Sequence, residues 1–157
     1  MSTFRILPIE QSAANRVREA RDDGHGNREI QPTIAQEPGA YPCRVCLEEA
    51  GVGEEVLLFS YSPFHHPVPY QNLGPIFVHA RSCVPYDRPG SVPELMRRRL
   101  LALRGYDADG RMKECDVVQG AELESVVDRF FRNSEVAVIH AHNARAGCFV
   151  CTIERAM

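Results

Sequence analysis

The last third of the chain constrains the fold more than any other part. "LLALRGYD" and "RMKECDVVQ" read as two strands flanking "ADG". The Asp109-Gly110 pair is a strong hairpin signal, because glycine accepts the backbone angles that a tight turn between strands demands. "GAELESVVDRFFRNSE" follows. Its Leu123, Val126, Val127, Phe130 and Phe131 fall at helical spacing over 121–132, and Asn133-Ser134 closes the run. "VAVIHAHN" is then a strand, and "CFVCTIER" pairs back on it across "ARAG". The order is β-β-α-β-β. Its strand–helix–strand part most simply makes a right-handed crossover between parallel strands, while the hairpins on either side add antiparallel pairings. The expected class is α+β. One domain spans 1–157, with a mixed, largely antiparallel sheet covered on one face by the 121–132 helix. The C-terminal unit occupies 100–157, and 1–40 is less regular.

Upstream, "FRILPI" (4–9) reads as a strand, 11–22 as a short helix, and "DDGHGN" as a loop. Weak strand character runs over 29–34. "EEVLLFSY" (54–61) and "IFVHA" (76–80) are short buried strands. Between them "SPFHHPVPYQNLGP" carries prolines that forbid regular ladder pairing, so it is expected to loop over the surface. Ser91 is expected to cap a short helix through "VPELMRRR".

The 157 residues suffice for one core. A net charge of -3 gives no reason to expect a nucleic-acid partner, and no apolar run approaches the roughly 20 residues of a membrane span. The N-terminal stretch is too polar for a secretory core, so the expected compartment is the cytoplasm, where the six cysteines stay reduced.

Cys43-x-x-Cys46 and Cys148-x-x-Cys151 together have the form of a four-thiolate zinc set, with His79 and Cys83 as a second source of ligands. Local geometry argues against the first set. Cys148 and Cys151 lie in an extended run, where residues three apart face opposite ways. Cys43-x-x-Cys46 is followed by Leu47-Glu48-Glu49 rather than by the glycine that lets a metal knuckle turn. A thioredoxin-like pair is weaker still, since Gly51 and Gly53 stop the helix that would have to follow Cys46.

In "HAHN", His140 and His142 project from one strand face, which Val136 and Val138 are expected to share. The helix start at Gly120 leaves free N–H groups at the corresponding sheet edge, and Arg145 stands in the adjoining turn. Loop parity decides whether Cys151 or Cys148 joins the histidine face. A His–Cys pair would suit a nucleophile with its base, or two metal ligands. Two strand histidines satisfied by backbone or water are the plainer alternative. The remaining histidines, His25 and the His65-His66 pair, read as solvated loop residues. No glycine-rich phosphate loop, G-x-S-x-G or HExxH occurs.

"YPCRVCLEEAGVGEEVLLFSY", "GPIFVHA", "LRGYDADGRMKECDVVQGAELE" and "VAVIHAHNARAGCFVCTIER", in this order, resemble the small bacterial proteins grouped as domain of unknown function 1203. The resemblance implies no activity. It implies that Cys43, Arg44, His140 and Cys148 match family positions and that Cys46 and Cys151 depart from them. It therefore weighs against four-cysteine zinc and makes Cys43-Arg44 a meaningful pair.

The leading expectation is a pocket for a small anionic molecule. Arg44, Asn143, Arg145 and Gly120 would be binding groups beside Cys43, His140, His142 and Cys148. The first alternative is an enzyme with Cys148 or Cys43 as nucleophile and His140 or His142 as base. The second is a zinc-binding structural or interaction domain. No cofactor is expected under the first reading. A metal, if present, would draw on Cys43, His140, His142 and Cys148, with Cys46, His79 and Cys83 as further donors. An interaction module would use the 62–75 loop.

Overall fold

The computed structural model describes residues 4–157. Among the described residues the chain forms two antiparallel sheets and three short α-helices. The larger sheet has five strands: β1 (Phe4–Leu7), β5 (Leu100–Tyr106), β6 (Met112–Gln119), β7 (Val138–Asn143) and β8 (Phe149–Arg155), in the order β1-β8-β7-β5-β6. The smaller has β2 (Thr33–Ile34), β3 (Glu55–Tyr61) and β4 (Gly74–His79), in sequence order. The α+β reading of the sequence holds. Among the described residues no helix is long and apolar enough to cross a membrane.

The β5–β6 hairpin forms where Asp109-Gly110 places it. Gly110 has φ 79°, and the Asp107 carboxylate accepts the N–H groups of Asp109 and Arg111. After β6 a short 3-10 turn (Gly120–Glu122) leads into α3 (Leu123–Arg132). Leu123, Val127 and Phe130 of α3 bury against Leu101, Leu103, Ile139, Ala141 and Ile153, the side chains of one sheet face. This is the main core, and the helix covers one face as its spacing requires.

The crossover differs from expectation. β6 and β7 run in the same direction, but β5 lies between them and pairs antiparallel with both. No two neighbouring strands of this sheet are parallel. Val136 precedes β7 and packs in the α3-side core, so it does not share the histidine face.

The small sheet supplies a second core through Leu57, Phe59, Ile76 and Val78, joined by Val17 of α1 (Gln11–Ala20) and by Phe149 of β8. Pro75 stands inside β4 opposite Ser60 rather than ending the loop before it. β4 is an edge strand, so the missing N–H leaves no ladder bond unmade. Of the weak strand over 29–34, only Thr33–Ile34 pairs. The helix α2 is only Glu94–Arg97, and Ser91 does not cap it; the Ser91 carbonyl instead accepts the Tyr86 hydroxyl.

Candidate metal centre

Residues 41–50 form a compact loop against the edge of β4. Cys43 makes a parallel bridge with Phe77, and the Arg44 N–H donates to the Phe77 carbonyl. The chain then reverses: the Leu47 N–H donates to the Cys43 carbonyl and the Cys43 N–H to the Glu48 carbonyl. Leu47 takes the left-handed conformation, φ 55°. Here the structure corrects the expectation that this stretch lacks a knuckle for want of glycine. A non-glycine residue in that region costs roughly 1–2 kcal/mol. Burying a leucine side chain contributes roughly 1.5–3 kcal/mol, and Leu47 is 2% exposed in the main core. The side chain therefore holds the backbone in a turn that glycine would adopt freely.

That turn presents Cys43 and Cys46 to the end of β4, where His79 sits. After His79 the chain leaves the sheet and returns Cys83 to the same point. The donor atoms of Cys43, Cys46, His79 and Cys83 all lie within 4.8 Å of one another. The Cys43 and Cys83 sulfurs are 3.8 Å apart, and the Cys46 sulfur is 3.5 Å from His79 Nδ1. Zinc–sulfur bonds of about 2.3 Å and zinc–nitrogen bonds of about 2.0–2.1 Å at tetrahedral angles require separations of about 3.8 and 3.5 Å. These two separations match.

The surroundings suit sulfur anions. The His79 N–H donates to the Cys43 sulfur at 3.3 Å. Arg18 of α1 donates from Nε to the His79 carbonyl and from Nη2 to the Cys83 sulfur, at 3.0 and 3.3 Å. The Cys46 thiol and nearby main-chain N–H groups pull the Cys43 thiol down to about 4, while the same contact pushes Cys46 up. Burial, reinforced by the Cys43 charge, raises Cys83. His79 Nε2 is buried without a hydrogen-bond partner and stands 3.7 Å from the Glu54 carboxylate. With Nδ1 directed at the sulfurs, the Nε2 proton faces that carboxylate, the usual outer partner of a metal-bound imidazole.

The quartet borders a cleft of about 1040 Å³, lined by Cys46, His79 and Cys83 among others. Cys43 is fully buried, whereas Cys46 and Cys83 are half-buried at the cleft.

The other sequence-derived candidates go elsewhere. Arg44 is 2% exposed, and its Nε and Nη1 donate to the carbonyls of Phe149 and Pro42. It clasps β8 to the 41–50 loop, and burial lowers its pKa to about 10. Gly120 is also buried. Its N–H donates to the Arg99 carbonyl, and a Cβ there would sit 1.7 Å from the Met96 carbonyl oxygen. The glycine is required by close backbone packing, and its own N–H is taken by the Arg99 carbonyl rather than left for a ligand. Arg145 is exposed in the β7–β8 turn. Asn143 closes that turn: its N–H donates to the Cys148 carbonyl and its carbonyl accepts the Gly147 N–H.

A bulge between Ala141 and His142 sets the parity of β8. It pairs Cys151 with Ala141, so Cys151 lies in the α3-side core, not on the histidine face. His142 pairs with Phe149, and Cys148 stands outside the strand. Among the described residues no bond joins the Cys148 sulfur to either imidazole. His142 Nδ1 is 3.0 Å from the Gly147 carbonyl, and His140 Nδ1 is buried without a partner. Cys43 is thus drawn to Cys46, His79 and Cys83 rather than toward His140 and His142. The signal for the quartet was present in the sequence, as Cys43-x-x-Cys46 followed by His79-x-x-x-Cys83. What was missing was the way β4 places the second pair against the first.

A family model described as a protein of unknown function (DUF1203) matches residues 40–155. No curated protein and no solved structure matches the chain.

Proposed function

We propose, from the premise that this chain belongs to the DUF1203 family, that it is a zinc protein whose metal is held by Cys43, Cys46, His79 and Cys83. The observation that carries this reading is the convergence of four soft donor atoms within 4.8 Å of one another from two separated sequence pairs. Three sulfurs and one nitrogen in a tetrahedral arrangement suit zinc. Three thiolates with a dication leave one net negative charge, which Arg18 faces directly.

Four protein donors make a closed site, so the ion's role is structural. It ties together the 41–50 loop, the end of β4 and the 80–83 segment. Each is short, and the ion would link them to one another directly. The adjoining cleft gives the ion a path in.

Protein purified without chelator from zinc-supplemented cells should carry about one zinc per chain, with X-ray absorption showing three sulfur and one nitrogen neighbours. Less than about a tenth of an equivalent, with all four residues reduced and intact, would overturn the reading.

A further inference from the structure

The sheet face opposite α3 carries a second assembly that the metal reading does not use. Arg104 and Tyr106 of β5 stand beside His140 and His142 of β7, around a chamber of about 20 Å³ under Phe64. The proline-rich loop after β3, expected to lie over the surface, folds down here: Phe64 is 8% exposed and stacks 4.8 Å from the His140 ring. Tyr106 and Phe149 pack on the same imidazole at 5.0 and 5.6 Å.

Three features point to a ligand. The chamber lining contains no aspartate or glutamate, and among the described residues no carboxylate pairs with Arg104. The half-buried Arg104 guanidinium bonds the Tyr106 hydroxyl but has no acidic counter-charge. His140 is 4% exposed, and its buried Nδ1 has no hydrogen-bond partner. An unmade bond at such an atom is costly unless something fills the space. Finally, the chamber has room for about one water-sized group. It adjoins a groove of about 400 Å³, with Phe64 and His140 lining both.

We propose that this chamber binds a small oxyanion, of carboxylate or phosphate type, between the Arg104 guanidinium and the Nδ1–H of His140. The planar guanidinium fork matches two oxygens of such a group, and the imidazole supplies one further donor. One oxygen fits the chamber as it stands. A whole oxyanion needs the Phe64 ring to turn aside and join chamber to groove; because Glu10, Asp107 and Glu154 line the groove, the rest of the ligand lying there is neutral or cationic. The site is independent of the zinc reading, since it shares none of the four metal donors.

Imidazole NMR of the full-length, zinc-loaded protein tests this, with sodium formate, sodium acetate and inorganic phosphate titrated at constant ionic strength. The His140 and His142 ring resonances should shift and saturate, while the exposed His25 stays still. Saturation by formate and acetate identifies a carboxylate site; saturation by phosphate identifies a phosphate site. Arg104→Met should weaken binding roughly 10- to 100-fold, the loss of a charge-assisted bond. Arg104→Lys should fall between, and Arg145→Ala in the exposed turn should change nothing. If Arg104→Met does not fold, the Arg104→Lys affinity decides. Non-saturating shifts with all three salts would reduce the chamber to a water pocket and overturn the proposal. So would unchanged affinity in a folded Arg104 variant.

Discussion

The thiol quartet and the imidazole chamber use the same kinds of residue to opposite ends. At the quartet, donors come from loops around the edge of the small sheet, and each sulfur or nitrogen faces another donor. In the chamber, both histidines come from the middle strand of the large sheet and face aromatic rings and a guanidinium. The quartet gathers three thiols whose deprotonation a dication would balance. The chamber keeps its imidazoles neutral and leaves a positive charge without an acidic counter-charge. A cysteine or histidine acquires its chemistry from what the fold sets opposite it, and the residue type alone does not distinguish the two sites.

Metal removal should separate the two regions most sharply. Chelation should lower the melting temperature by about 10 °C or more, because structural zinc contributes several kcal/mol and each costs about 2–4 °C in a chain of this size. Amide exchange should rise first in 41–50 and 80–83 while β5–β7 stay protected. A melting temperature unmoved by complete zinc removal would erase the contrast.

Acid should act through the chamber next. Burial, followed by the charges of their neighbours, holds both His140 and His142 down to about 4. The unfolded imidazole titrates near 6.5, so between about 6.5 and 4 the unfolded chain binds protons that the folded one refuses. Their neutral state contributes stability that is full above about 6.5 and is lost as pH falls toward about 4, at most about 3 kcal/mol for each ring. Denaturant melts at constant excess zinc should show this decline. His140→Phe, which keeps the stacking, should remove about half of it. An identical pH profile in the variant would show that His140 titrates normally.

The smallest effect concerns the partners around the quartet. Arg18→Met removes the guanidinium from the Cys83 sulfur, and Glu54→Gln removes the charge facing His79. Each should weaken zinc about tenfold in competition with a chromogenic chelator, the lower end for outer-shell partners. Neither should disturb oxyanion shifts at His140. Coupled changes at both sites would mean that the two regions communicate.

Much of the large sheet follows from local pattern alone. Asp109-Gly110 fixes one hairpin, and the spacing of Leu123, Val127 and Phe130 fixes the helix and the face it covers. Alternation in "VIHAHN" puts His140 and His142 on one side. These features depend on neighbours a few residues away, and backbone periodicity reports them directly. Tertiary structure decided the rest. β5 inserts between β6 and β7, so the crossover joins strands that never touch. One bulge beside His142 sends Cys151 into the core. Leu47 takes a glycine's conformation because its side chain has a core to enter. Arg44, which reads as a ligand group, spends its donors on the carbonyls of Pro42 and Phe149. Cys43 and Cys83 meet across 40 residues only because β4 runs beside the 41–50 loop. Such pairings are set by which surfaces bury together, and burial depends on the whole chain at once.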